Sequence, residues 1–117
     1  MYYCGPTPAP KDKVIGSCGP TTSSRMDDFT LDLLRVGLKG MIGKGRRSLE
    51  VRRAIKRYGA VYFLAIGGAG ALLSKRITSV EVIAYDDLGT EAIRKLEVID
   101  FPAVVAYDVA GNTVYSL

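Results

Sequence analysis

Apolar and polar positions along this chain fall into short blocks whose period switches between helical and extended. Residues 5–13, "GPTPAPKDK", hold three prolines in nine positions and read as an extended loop. "VIGS" (14–17) reads as a short strand. From Ser23 the apolar residues Met26, Phe29, Leu33 and Leu34 recur at helical spacing, which predicts a helix ending near Gly37. "GMIG" (40–43) reads as a short buried strand. Ser48 is the expected N-cap of a second helix, with Leu49, Ile55 and Tyr58 on its apolar side and Gly59 as its stop.

"AVYFLAI" (60–66) is rich in β-formers and flanked by Gly59 and Gly67, the pattern of a buried strand. "GAGALLSKR" (68–76) predicts a short helix opened by glycine. "SVEVIAY" (79–85) alternates as a strand does, and "TEAIRKLEV" (90–98) predicts a short helix. "FPAVVAYDVAGNTVYSL" (101–117) reads as a closing hairpin with its turn around residues 110–112. Strands and helices alternate through the middle of the chain, so an α/β layered architecture is expected. At 117 residues, with no repeat and no low-complexity tail, one domain spanning 1–117 is expected.

Composition narrows the chemistry. Hydrophobic residues at 48% and charged residues at 24% are ordinary for a soluble domain. No apolar run approaches the roughly 20 residues of a membrane span. No basic-then-apolar leader follows Met1, so a cytoplasmic location is the expectation. There is no histidine, which removes the commonest general base and metal ligand. Cys4 and Cys18 sit beside glycines in loop-like sequence. Two cysteines make no disulfide framework and cannot alone hold a cubane iron–sulfur cluster, which takes about four thiolates. The net charge of +4 is concentrated in residues 44–57, "KGRRSLEVRRAIKR", with seven basic residues and one acid. A solvated helix face is the plain reading of that run, and an anionic-ligand or subunit surface is the alternative. No recognised nucleic-acid motif accompanies it.

Two glycine-rich segments resemble phosphate loops only loosely. "GGAGAL" (67–72) has Leu73 where the dinucleotide fingerprint needs its third glycine. No Gly-x4-Gly-Lys-Ser/Thr pattern fits around Lys44. Tight turning and close helix–strand packing explain both. "GPTTSSRMD" (19–27) is richer. One hydroxyl, Thr22 or Ser23, suffices as a helix N-cap, and the remaining hydroxyls and Arg25 then need no function. Alternatively, a helix start with free N–H groups, a guanidinium fork at Arg25 and a hydroxyl at Thr21 makes a carboxylate-binding corner. Lys44, between Gly43 and Gly45 at the end of a predicted strand, is either a turn lysine or a second cationic contact.

"YYCGP", "GPTTSSRMD", "MIGKG", "AIGGAGAL", "DLGTEAI" and "VIDFPAVVAYDVAGN" occur in this order across essentially the whole chain. Together they resemble the β-subunit, or C-terminal region, of the iron–sulfur (class I) fumarate hydratases. The L-tartrate dehydratase β-subunit shares much of the pattern. The resemblance implies a three-layer swivelling β/β/α domain with a mixed central sheet. It implies a hydro-lyase that reversibly hydrates fumarate to L-malate on a 4Fe–4S cluster. The cluster is held by a partner α-subunit, its open iron acts as a Lewis acid, and no metal ligand comes from this chain.

By the same match Thr21 corresponds to the proposed catalytic base, Arg25 holds a substrate carboxylate, and Lys44 also contacts the dicarboxylate. Thr22 lies within reach of that site. The expected partners are the fumarase α-subunit and copies of the chain itself, with no nucleic acid and no membrane. The family's β region normally starts upstream, with a Gly-Arg-Asp…His segment absent here. The site is therefore expected to be incomplete in this chain, which should be inactive alone. A tartrate dehydratase β-subunit and a non-catalytic dicarboxylate-binding module are the alternative functions. The basic run would add positive potential that steers dianions towards the site.

Overall fold

The computed structural model describes residues 1–65 and 70–115. Its contacts divide the chain into two compact units. The first comprises Met1–Tyr3, Pro20–Ala65 and Ala103–Leu117; the second comprises Cys4–Gly19 and Ile66–Pro102.

The first unit is built on a mixed three-stranded sheet. Strand β1 (Gly40–Gly43) pairs in parallel with β2 (Val61–Leu64), and β2 pairs antiparallel with the last strand, Val104–Tyr107. Residues 1–3 lie along the outer edge of β1: Tyr2 bridges Ile42, and Tyr3 N–H donates to the Ile42 carbonyl at 2.9 Å. The parallel β1–β2 connection runs through helix α2 (Leu49–Tyr58), as a parallel pair requires. Ser48 caps α2 by accepting from Val51 N–H. Gly59 ends it in the left-handed conformation (φ 67°), where a side chain would be strained.

Helix α1 (Asp27–Arg35) is entered through a 3-10 turn, Ser23–Met26. Tyr3, Leu34, Met41, Val51, Ile55, Tyr62 and Tyr107 form the core of this unit. A turn at residues 108–112 follows the last strand, with Asp108 Oδ1 accepting from the Ala110 and Asn112 amides, and the chain returns as a single bridge, Tyr107 to Thr113.

The second unit contains helix α3 (Gly70–Ser74) and an antiparallel pair, β3 (Ile77–Ala84) with β4 (Ile93–Val98), joined through a 3-10 segment, Asp86–Glu91. The strand from Val104 to Tyr107 is then β5 in chain order. Ile15, Cys18, Leu73 and Ile77 are buried here. Among the described residues no helix is long and apolar enough to cross a membrane.

The α/β class and the mixed sheet agree with the expectation, but several local expectations do not. Among them, Leu49, expected on the apolar side of α2, is 54% exposed, while Val51, Ala54 and Ile55 face inward. "VIGS" is not a strand: its backbone is spent on the loop facing it, where Thr7 N–H donates to the Ser17 carbonyl. "TEAIRKLEV" is not a helix, because Ile93–Val98 pairs with β3, setting Leu96 opposite Val80 and Lys95 opposite Glu81. Cross-strand pairing overrides the modest helical propensity of that stretch. Helix α1 forms where expected but with another face inward: Asp27, Thr30 and Leu34 are buried, whereas Phe29 is 63% exposed and Met26 is exposed. Residues 66–69, which carry the start of "GGAGAL" and the end of "AVYFLAI", lie outside the described residues.

Candidate functional site

The segment from Thr21 to Ser23 continues the edge of the sheet in the first unit. Thr21 N–H donates to the Tyr3 carbonyl at 2.8 Å, and its hydroxyl donates to the same oxygen at 3.2 Å. Thr22 is extended (φ −61°, ψ 112°) and bridges Lys44 in parallel. Ser23 N–H donates to the Lys44 carbonyl at 3.1 Å. The two segments singled out from sequence, "GPTTSSR" and "GKG", therefore run side by side.

Three glycine and hydroxyl details make this approach possible. A Cβ on Gly43 would fall 1.7 Å from Ser23 Oγ and 3.1 Å from Tyr3 Cδ2, so only glycine lets Ser23 lie against β1. Gly45 has φ 81° and turns the chain just after Lys44. Ser23 is fully buried, and its hydroxyl lies 3.0 Å from the Tyr62 hydroxyl, which in turn is 2.9 Å from the Gly45 carbonyl. Tyr62 thus ties both segments from below, and burial pushes its phenol up to about 12.

The expectation that Thr22 or Ser23 caps the helix is corrected by these contacts. Thr22 occupies the cap position but its side chain makes no capping bond, and Ser23 turns inward to Tyr62. The hydroxyls are not redundant caps: Ser23 is structural, and Thr21 and Thr22 belong to the edge. Thr21, Arg25 and Lys44 are exposed and Thr22 is half-buried. Arg25 sits in the 3-10 turn immediately after the edge segment. Two cationic side chains and two threonines are thereby carried by adjoining segments. A guanidinium and an ammonium on adjoining segments are residue types that can bind a carboxylate.

Beneath this surface lies a charged pair whose arginine comes from the basic run expected as a solvated face. Arg47 belongs to the basic run, yet it is only 5% exposed. Its Nε donates to Asp27 Oδ1 at 2.7 Å and its Nη2 donates to Thr30 Oγ1 at 2.9 Å. The guanidinium lies between two rings, 5.1 Å from Tyr3 and 4.9 Å from Tyr62. The other Asp27 oxygen accepts Ser48 N–H at 2.7 Å, at the start of α2. Arg46 and Arg52 lie over the Tyr115 and Tyr107 rings. The basic run is therefore only partly a solvated face: Lys44, Arg53, Lys56 and Arg57 are exposed, while Arg47 belongs to the core.

Asp27, Arg47, Tyr3 and Tyr62 were missed as a set by the sequence reading. The available signal was the polar pair Asp27 and Thr30 on the same helical stripe as Leu34, which marks a buried polar partner rather than a wet face.

In the second unit, Cys4 and Cys18 are not joined in a disulfide, and their sulfurs lie 2.8 Å apart. Among the described residues no group of three or more His, Cys, Asp or Glu side chains is placed to hold a metal ion.

The family model described as "Fumarase C-terminus" matches residues 1–117. The chain is 44% identical over 115 residues to "Fumarate hydratase class I, aerobic" of Escherichia coli (strain K12), covering 96% of this chain and 21% of that protein. It is 43% identical over 119 residues to "Fumarate hydratase 2" of Leishmania major, covering 99% and 21%. It is also 36% identical over 121 residues to "Putative L(+)-tartrate dehydratase subunit beta" of Methanocaldococcus jannaschii, covering 98% and 62%. The chain spans about a fifth of the length of the fumarate hydratases it matches.

Proposed function

The chain belongs to the fumarase C-terminus family, and from that premise we propose that it is the C-terminal, β-type part of a hydro-lyase that interconverts fumarate and L-malate. The observation that carries this reading is the parallel contact of Thr22 with Lys44, which joins the threonine–arginine segment to the lysine segment on one exposed edge.

In the proposed arrangement Arg25 grips one substrate carboxylate, and its fork suits a two-point grip. Lys44 supplies a compact positive charge to the dianion. Thr21 moves the proton at the carbon next to a carboxylate. Its hydroxyl is a donor at rest, parked on the Tyr3 carbonyl. A bond donated to a carbonyl favours the neutral hydroxyl. The resting state therefore suits proton delivery in the hydration direction. In dehydration the hydroxyl must lose its proton, and the neighbouring cations Arg25 and Lys44 favour the resulting negative charge. Thr22, one residue on, fixes the register with Lys44.

The 4Fe–4S cluster and the open iron belong in this reading to an α-type partner. The two thiols here are paired with each other and do not provide the roughly four thiolates of a cubane cluster. No step performed by this chain's residues is assigned to them. Cytoplasmic location and assembly with an α-type subunit and with further copies of the chain are parts of the same proposal. The relative named as a tartrate dehydratase subunit beta supports a second reading, in which the dicarboxylate is L-tartrate.

The test is hydration of fumarate under anaerobic conditions, by this chain alone and with a cluster-bearing α-type subunit. Activity in the mixture alone is expected. Turnover of L-tartrate but not fumarate by the mixture would replace the first reading with the second. Activity towards neither, with no stable complex formed, would favour a non-catalytic dicarboxylate-binding module that has lost its partner.

A further inference from the structure

The loop between residues 4 and 18 is zipped along its length. Thr7 N–H donates to the Ser17 carbonyl at 3.0 Å, and Ser17 N–H donates back to Thr7 Oγ1 at 2.8 Å. Gly16 lies so close to Thr7 that a Cβ there would fall 2.3 Å from the Thr7 carbonyl oxygen. Cys18 N–H is anchored on the Gly70 carbonyl at 3.1 Å, and a Cβ on Gly70 would come 2.4 Å from Ser17 Oγ. These contacts leave the two ends of the loop little freedom to separate. At its base the sulfurs of Cys4 and Cys18 are 2.8 Å apart, in hydrogen-bond contact. They are the chain's only two cysteines. Cys18 is fully buried and Cys4 is half-buried, so an oxidant reaches the pair through Cys4.

We propose that Cys4 and Cys18 are a redox modification site that closes to an intrachain disulfide with a peroxide as oxidant and reopens with a small thiol as reductant. The sulfurs need to move from 2.8 Å to about 2.05 Å, a fraction of an ångström. The Cys4 sulfur attacks one oxygen of the peroxide. The O–O bond breaks, Cys4 becomes a sulfenic acid, and the thiol proton leaves in the first water (an alcohol for an alkyl peroxide). The Cys18 sulfur then attacks the Cys4 sulfur, the S–O bond breaks, and the hydroxide departs as water with the Cys18 proton. Two thiols lose two electrons, and the peroxide gains them.

The surroundings favour the first ionisation of the pair. The hydrogen bond between the two sulfurs and the positive charge of Arg94 hold the Cys18 thiol below its ordinary range, while that bond and burial hold Cys4 above it. Cys18, held lower, can relay the Cys4 proton to the departing hydroxide, so the accessible Cys4 sulfur reacts as the nucleophile. The guanidinium of Arg94 is itself fixed by the Gly89 carbonyl at 2.7 Å. Cys4 directly follows Tyr3 in the chain, and Cys18 lies three residues before Thr21. Oxidation therefore ties together the two chain segments that lead into the Tyr3–Thr21 hydrogen bonds.

The experiment exposes the reduced 117-residue chain to stoichiometric hydrogen peroxide, blocks remaining thiols by alkylation, and maps tryptic peptides without reduction. Cleavage at Lys11, Lys13 and Arg25 separates the two cysteines. The expected result is a linked pair of peptides, 1–11 with 14–25, lighter than their sum by two hydrogens. Both thiols should be lost together and restored by a small thiol. Cys4→Ser should abolish the linked pair and leave Cys18 open to alkylation after denaturation. Two unlinked, alkylated peptides, separate sulfinic or sulfonic acids, or links between chains would each overturn the proposal.

Discussion

Arg47 Nε lies 2.7 Å from Asp27 Oδ1 inside the first unit, with the guanidinium between the Tyr3 and Tyr62 rings. The pair couples the start of α1 to the start of α2, because the second Asp27 oxygen takes Ser48 N–H. Removing one partner leaves a buried charge without its counter-charge. Arg47→Met is expected to lower the unfolding free energy by about 3–5 kcal/mol. In a denaturant titration the double variant Asp27→Asn/Arg47→Met should lose clearly less than the sum of the two singles. Strict additivity would mean that the two side chains do not act together.

The closeness of Ser23 to β1 rests on Gly43. Gly43→Ala is expected to cost about 1–3 kcal/mol from overpacking, and to displace the Thr21–Thr22 edge with a fall in any activity that depends on it. Adding Ser23→Ala removes the oxygen nearest the new methyl group, so the double variant should recover part of the stability. If Gly43→Ala unfolds at the parent's midpoint, the edge is not packed as described.

Burial raises the Tyr62 phenol from 10.0 to about 12. A raised folded-state value means that the unfolded chain releases this proton first. The contribution is complete below about pH 10 and is lost as pH rises from about 10 to about 12. The midpoint of thermal unfolding should therefore fall across that window, and it should fall less in Tyr62→Phe. Equal falls in both proteins would show that Tyr62 ionises freely.

Much of the fold was legible because local chemistry and tertiary context agree. Ser48 and Gly59 bracket α2 as capping rules demand, and Val61–Leu64 is a strand by composition alone. Legibility failed where distant partners decide. Ile93–Val98 is short and carries helix-tolerant residues, and only β3 makes it a strand. Arg47 looks like one more arginine in a basic run until Asp27, twenty positions earlier, is brought beside it. At the candidate site the motif residues were legible as residue types. The buried support was not: the Ser23–Tyr62 contact spans thirty-nine positions and leaves no local pattern.

In the proposed function the exposed edge of Thr21, Arg25 and Lys44 grips a dicarboxylate, and Arg25→Ala removes the side chain assigned to one carboxylate. Arg25 is exposed, so its loss should change stability by no more than about 0.5 kcal/mol. In the enzyme assembled with its α-type partner, kcat/KM for fumarate should fall by about 30-fold or more, the loss of about 2 kcal/mol of charge-assisted binding. Arg35→Ala, which removes an exposed arginine paired to Asp32 on α1, should leave kcat/KM near the parent value. A parent-like kcat/KM in Arg25→Ala would show that this edge does not hold the substrate carboxylate.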